Sequence, residues 1–244
     1  MFRFDTHMHF DLYENRRGIL EYVEDNKSYT IAVTNLPELY EKYRGMDYGY
    51  KYVNIALGFH PELAAEYCNQ ITVFERNVEN ARYIGEVGID YTSTDKKDRI
   101  KQREVFEAIV SMSKQKNDKI VTVHSRRAER EVLDITKDFP GTIILHWFSG
   151  SLSLLNRAIE EEKYFSINHQ MLKSSEGRKL IDNMPLDRIL IESDAPFTSG
   201  LKAEYSLEFI KGIYDEMSII KRISIEELQL IFRDNFKRIL TKNR

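Results

Sequence analysis

Short apolar runs alternate with longer amphipathic stretches along the whole chain. The runs are MFRFD (1–5), YTIAVTN (29–35), YVNIALGFH (52–60), ARYIGEVGID (81–90), KIVTVH (119–124), GTIILHWFSG (141–150), YFSINHQ (164–170) and RILIESDAP (188–196). They are rich in Val, Ile, Tyr and Phe and bounded by polar or turn residues, as strands buried on both faces of a parallel sheet are. The stretches between them follow a helical period. IKQREVFEAIVSMSK (100–114) puts Gln102, Phe106, Ile109 and Ser113 on one stripe, with Val105 and Val110 beside it. SLSLLNRAIEEEK (151–163) opens on serines suited to an N-cap, and SIEELQLIFRDNFKRIL (224–240) has a capping box from Ser224 to Glu227. No Pro/Gly/Ser-rich linker, low-complexity tract or repeat interrupts the alternation, which predicts one domain over 1–244. Eight such units in 244 residues predict an α/β fold, a (β/α)8 TIM barrel, with an open doubly wound sheet as the other arrangement.

Composition narrows the picture. With 36 Lys and Arg against 39 Asp and Glu, the net charge is −3, so no global positive field marks a nucleic-acid binder. Bound cations and local arginines can still supply positive charge at a site. The single cysteine, Cys68, allows neither an intrachain disulfide nor a cysteine-based zinc site, and it suits a reducing compartment. We assign it a structural role. No apolar run approaches the ~18 residues of a membrane span, and no apolar segment precedes a cleavage site. A cytoplasmic protein with no membrane partner is expected.

The chemistry-bearing residues follow the strand pattern. In a barrel, function sits at the C-terminal ends of the strands and in the loops after them. All six histidines, His7, His9, His60, His124, His146 and His169, fall at or just after such an end, on strands 1, 1, 3, 5, 6 and 7. Glu86 ends strand 4 and Asp194 ends strand 8. Any one of them has an ordinary explanation: a satisfied core histidine, a helix-capping glutamate, a turn aspartate. Together, imidazoles and carboxylates around one mouth make a ligand set for one divalent cation or two. Four histidines and two carboxylates hold two ions if one carboxylate bridges. A pair of ions activates water and stabilises attacking and leaving oxygens at phosphorus, while one ion suffices for attack at a carbonyl carbon. The donor mixture suits Zn, Mn, Fe or Ni, and Mg less naturally. Asp5, His7 and His9 alternate along the first strand and would share a face, with Asp5 one step back, orienting an imidazole.

Six motifs carry a resemblance across nearly the whole chain: DTHMH (5–9), GFHP (58–61), IGEVGIDY (84–91), VHSR (123–126), HWFSGS (146–151) and DRILIESDAP (187–196). In this order they resemble the TatD family of metal-dependent deoxyribonucleases, part of the amidohydrolase-like superfamily. The resemblance implies that His7, His9 and Asp194 bind one metal, that His124 and His146 bind a second, and that Glu86 bridges both. It implies that Asp194 also orients or deprotonates the attacking water, and that His60 contacts the substrate or supports the metals. HSRRAEREVLD (124–134), FSINHQML (165–172), EGRKLIDNMP (176–185) and DAPF (194–197) are similar, more narrowly, to the TatD-like nuclease component of Qat anti-phage defence systems. That similarity implies a DNA substrate and partner proteins of a defence operon. One segment departs from the family: FTSGLKAEYSLEF (197–209) stands where TatD proteins carry a basic, asparagine-containing stretch, which puts generic exonuclease specificity in question. A small-molecule amidohydrolase or deaminase with the same metal site, and a scaffold inside a defence complex, are the other readings.

Further residues at the predicted mouth are substrate candidates. Arg126, and less strongly Arg127, can clamp a phosphate. Trp147 and Phe148 can stack on a base or pack in the core. Ser149 offers a hydroxyl or forms the strand-to-helix turn, His169 can face the substrate, and Tyr91 is a contact or packing residue. Glu192, two before Asp194, can hold a further ion or position a ligand histidine.

Overall fold

The structure, a computed structural model, describes residues 2–45 and 49–241. Its strands follow the predicted order: β1 (Phe4–Met8), β2 (Tyr29–Ala32), β3 (Val53–Ile55), β4 (Tyr83–Gly88), β5 (Ile120–His124), β6 (Thr142–His146), β7 (Tyr164–Ile167) and β8 (Ile189–Ile191). Seven of the eight are shorter than their apolar runs, because the run includes the buried turn that leaves the strand; β1 has the five-residue length of its run but extends to Met8, three residues past it. The third run shows this most, being strand over only three residues. Every pairing is parallel, in the orders β1-β2-β3 and β4-β5-β6-β7-β8. Bridges Leu57↔Ile84 and Met8↔Ala195 join the two sheets at both seams. The Asp194 N–H donates to the His7 carbonyl at 2.9 Å and the Gly85 N–H to the Leu57 carbonyl at 3.0 Å, which closes the ring. An open sheet would leave β1 and β8 apart; here they are bonded, so the fold is the (β/α)8 barrel.

The helices are α1 (Arg16–Asp25), α2 (Pro37–Arg44), α3 (Ile71–Val78), α4 (Lys96–Ser113), α5 (Glu129–Thr136), α6 (Leu152–Glu160), α7 (His169–Lys173), α8 (Ser175–Asn183), α9 (Phe209–Lys221) and α10 (Ile225–Thr241). The predicted caps form. Ser151 accepts from the Leu154 N–H and Ser224 from the Glu227 N–H. Gln102, Val105, Phe106, Ile109, Val110 and Ser113 make the buried face of α4. One hydrophobic cluster fills the barrel and the space under the helices.

The N-terminal ends of the strands hold structural devices. Phe236 of α10 stacks on Phe4 with centroids 4.7 Å apart, and the Asn235 amide donates to the Leu186 and Ile189 carbonyls. Buried Lys119, just before β5, donates to the carbonyls of Val78, Glu79 and Ala81 where α3 ends. The opposite ends of the strands are thereby left for chemistry. Among the described residues, no helix is long and apolar enough to cross a membrane.

Two register irregularities aim the polar residues. β1 slips against β2 between Asp5 and Met8, and β4 slips against β5 between Ile84 and Val87. A bulge of this kind bends the strand and redirects one side chain. The β4 slip is possible because glycines flank Glu86. A Cβ on Gly88, at φ +146°, would lie 2.0 Å from the His124 carbonyl oxygen.

Candidate metal centre

Six strand-end residues converge on Glu86, which is 1% exposed. Its two carboxylate oxygens divide the surrounding imidazoles. Oε1 lies 2.6 Å from His124 Nδ1 and 2.9 Å from His146 Nε2. Oε2 lies 3.1 Å from His9 Nε2, 3.3 Å from His60 Nε2 and 3.6 Å from His7 Nε2. Asp194 Oδ1 completes one side, 3.7 Å from His9 Nε2 and 3.9 Å from His7 Nε2. Asp194 is held by a left-handed backbone, φ +47°, three residues past the end of β8, and Trp147 adopts φ +41° directly after His146. Left-handed conformations at non-glycine residues are uncommon and gather where a site over-determines the backbone.

The electrostatics are those of a crowded, dry pocket. Burial alone would push the Glu86 carboxyl up, but the charges of His60, His146 and His124 outweigh it and hold it well below the carboxylate range. Burial likewise disfavours charge on His124, yet Glu86 and Asp90 raise its pKa to about 9. His7 goes the other way: burial, then the neighbouring His146, whose ring stacks on it at 4.0 Å, holds it well below the usual imidazole value.

The donor arrangement fits divalent cations. His7 Nε2 faces His9 Nε2 at 3.1 Å, and His146 Nε2 approaches His124 Nδ1 at 3.4 Å. Facing imidazole nitrogens need a shared proton or a shared cation between them, and carboxylate oxygens stand beside both pairs. Three sets of donor atoms each lie within 4.8 Å of one another: His7, His9 and Asp194; His60, Glu86 and His124; and His7, His146 and Glu192.

Comparison with known proteins gives the same picture over the full length. The family model described as TatD related DNase matches residues 4–241. The chain belongs to the TatD family. It is 28% identical over 249 residues to the uncharacterized metal-dependent hydrolase MJ1582 of Methanocaldococcus jannaschii, covering 97% of each chain. It is 25% identical to the uncharacterized metal-dependent hydrolase YabD of Bacillus subtilis, covering 98% of this chain and 99% of that one. Among solved structures, YJJV, a TatD homologue from Escherichia coli, superposes with a TM-score of 0.84 at 22% identity over 98% of this chain and 97% of that one. The chain is thus a TatD-type metal-dependent hydrolase by family, and it carries clusters of metal-ligand residues of its own.

Around this TatD-type cluster stands a ring of orienting groups, which the sequence reading caught only in part. His7 Nδ1 meets the Thr122 hydroxyl at 2.7 Å. His124 Nε2 meets Asp90 Oδ2 at 2.8 Å, leaving its Nδ1 toward Glu86. Burial pushes the Asp90 carboxyl up, but hydrogen bonds from His124 and Thr92 more than offset this and keep it ionised below the usual range. Asp90 was missed because it reads as an ordinary turn residue in GID; its position four after Glu86 was the available signal. Glu192 Oε1 lies 3.5 Å from His146 Nδ1 and accepts from the Asn168 amide at 2.9 Å, which places it behind a histidine.

Asp5 departs from expectation. Its carboxylate accepts from the backbone N–H groups of His7 (3.1 Å) and Ser193 (2.9 Å) and from the Tyr205 hydroxyl (2.8 Å), so it orients backbone and not an imidazole. The β1 slip breaks the simple alternation that put Asp5, His7 and His9 on one face. Wholly buried, Asp5 has its pKa raised to about 7 by desolvation.

The substrate candidates scatter more. His60 sits at the cluster, and its Nδ1 accepts from the Glu62 N–H at 3.3 Å. In the neutral ring that puts the proton on Nε2, facing Glu86, a donor and not a cation ligand. Arg126 is exposed at the mouth, and its carbonyl accepts from the Tyr91 N–H at 3.0 Å. The Ser149 hydroxyl is engaged with Glu129 at 3.0 Å. His169 opens α7 with its ring against Gly212 of α9, where burial lowers its pKa, and it does not join the cluster around Glu86. Phe148 is buried against Phe165, which settles it in the core, and Trp147 is half-buried. Cys68 is exposed, so it has no structural role as a buried residue.

Asp90→Asn tests the orienting ring. An amide in place of the carboxylate weakens the hold on the His124 tautomer, and loss of such a partner typically costs 10–100-fold in metal affinity or activity. The expected result is about a ten-fold or greater drop in metal affinity, measured by competition with a chromophoric chelator, with an unchanged circular dichroism spectrum. Wild-type metal affinity in that variant would show that His124 is oriented by other means.

Proposed function

We propose that this protein is a phosphodiester hydrolase acting on DNA ends or single strands. In this reading His7, His9 and Asp194 hold one divalent cation, His124 and His146 hold another, and Glu86 spans both. The observation that carries it is the division of the Glu86 oxygens between two imidazole sets. Divalent cations held by these residues would lower the pKa of water and neutralise charge that develops at phosphorus. The chain's own residues do the rest. Glu86 sets the spacing of the two halves. Asp194 faces the His7–His9 side and is the group placed to receive the proton of the attacking water. Thr122, Asp90 and Glu192 fix the imidazole rings from behind. His60 Nε2 and exposed Arg126 are the groups from this set offered to a bound phosphate.

The reading takes residues 1–244 as one catalytic unit. From the narrower motif similarity we also place the protein beside partner proteins of a Qat-type anti-phage operon, in the cytoplasm. The test is metal removal. Dialysis against EDTA should abolish cleavage of single-stranded DNA, and adding back Zn, Mn, Mg or Fe singly should restore it with one or more of them, with two equivalents of metal per chain at full activity. Cleavage that survives chelation and metal analysis below one equivalent would reject the metal-dependent reading. Restored hydrolysis of cyclic amides but not of DNA would favour the amidohydrolase alternative.

A further inference from the structure

Two features of the barrel rim lie outside the cluster. The first is Phe197, three residues after Asp194. Its side chain is exposed, 57% of the residue being accessible, while Ala195 and Thr198 around it are buried. The loop beneath is fixed: the Phe197 N–H donates to the Asp194 carbonyl at 2.8 Å, and the Thr198 hydroxyl donates to the Ser193 carbonyl at 2.7 Å. The ring stands perpendicular to that of His9, with centroids 5.2 Å apart and planes at 88°. A large aromatic exposed to water beside a candidate ligand is a surface on which a base can stack.

The second is an open hollow of about 310 Å³ lined by Tyr91, Lys96, Arg99, Ile100 and Arg103. Three of these five residues are cationic and none carries a carboxylate. Tyr91 directly follows Asp90, the partner of His124, and its N–H is bonded to the carbonyl of Arg126. Arg99 is pinned under the Tyr91 ring, its guanidinium 5.1 Å from the centroid, by bonds to the Tyr91 and Ser93 carbonyls at 2.9 and 2.6 Å. Arg103 shares its Nε with Glu107, while the Lys96 side chain projects at the exposed start of α4. Arg99 and Arg103 are thus engaged within the chain, which leaves Lys96 as the charge this face offers to solvent.

The strand order relates the two. Phe197 follows β8, next to β1, and the hollow follows β4, next to β5. In an eight-membered ring closed in sequence order these seams face each other across the mouth, with Glu86 and its histidines between them. We propose that the rim sets the path of a polynucleotide over the metal centre. A base stacks on Phe197, and the backbone phosphates on the far side of the scissile bond run onto the Tyr91–Arg103 hollow, with Lys96 and Arg126 as the phosphate contacts. Phe197 and Lys96 are then specificity-determining residues that favour a chain over a small phosphodiester. This rests on the phosphodiesterase reading above. It assigns one side of the site to base stacking and the opposite side to charge.

The experiment compares a short single-stranded oligonucleotide with bis(p-nitrophenyl) phosphate on the metal-loaded enzyme and its Phe197→Ala and Lys96→Glu variants, across a salt series. Phe197→Ala should lower kcat/KM for the oligonucleotide by roughly ten-fold more than for the small diester, mainly through KM and with the salt dependence kept. Lys96→Glu should flatten the slope of log(kcat/KM) against log[salt] for the oligonucleotide by about 0.7 or more, the value of one lost phosphate contact on a single strand. Parallel losses on both substrates in both variants, or an unchanged salt slope in Lys96→Glu, overturn the proposal while leaving the phosphodiesterase reading standing. A wild-type enzyme that cleaves neither substrate overturns both.

Discussion

Glu86→Gln is expected to lower turnover by about 10³-fold or more while leaving the barrel folded. Metal stabilisation of developing charge is worth several kcal/mol, and each ~1.36 kcal/mol is a factor of ten in rate. Gln matches the shape of Glu86 but withdraws the negative charge that both imidazole sets share. One amide face then presents an N–H₂ group where a lone pair stood, so at least one half of the site loses a donor. The measurement is kcat on DNA alongside metal content and circular dichroism. Loss of activity and of metal with an intact spectrum supports the spanning role; a wild-type rate would sink it. The same variant separates an enzyme from a scaffold in cells. If phage resistance depends on the protein and survives Glu86→Gln, the chemistry is dispensable and interaction with partners carries the phenotype.

The fold was legible because each strand is buried on both faces and so reads as a continuous apolar run, while each helix shows a half-buried stripe. Strand ends were less legible. The run at 52–60 continues apolar through a turn that is buried for reasons of closure, not pairing: the Leu57 and Phe59 N–H groups bond to the Tyr83 and Glu86 carbonyls, across the seam to β4. That seam still delivers His60 to the cluster, so the residue was placed correctly at the mouth by a strand drawn too long. The cluster itself was legible because barrel closure brings all strand ends together, whatever their separation in sequence. Groups one step behind were not. Tyr205 donates to Asp5 across 200 positions, with no local pattern to announce it. The slip in β1 that turns Asp5 toward Ser193 is a property of pairing and not of the pentapeptide. Asp90 had a faint signal, an acid just past a strand whose neighbour ends in His124, and only the 2.8 Å contact gives it meaning.

Asp194→Asn should separate ligation from proton transfer. The backbone of Asp194 is fixed twice over, by a left-handed φ of +47° and by the bond of its N–H to the His7 carbonyl at 2.9 Å. Asn tolerates that conformation better than most residues, so the loop should hold its shape. Burial, with Glu192 and Glu86 nearby, raises the Asp194 carboxyl above the usual range, against the opposing charge of His146; a bound cation would act in the lowering direction. A general base contributes about 10²–10⁴-fold, and that is the expected fall in kcat. His9 and His7 still face the same point, and the Glu86–His124–His146 half is untouched, so metal content should fall less than in a His7→Ala or His9→Ala variant. The pH profile adds a sign. A base works ionised, so wild-type kcat should drop as pH falls through its pKa, and the Asn variant should lose that acid limb along with the rate. If excess metal restored the Asn variant to wild-type turnover, Asp194 would be a ligand alone, and the proton of the attacking water would have to leave by another route.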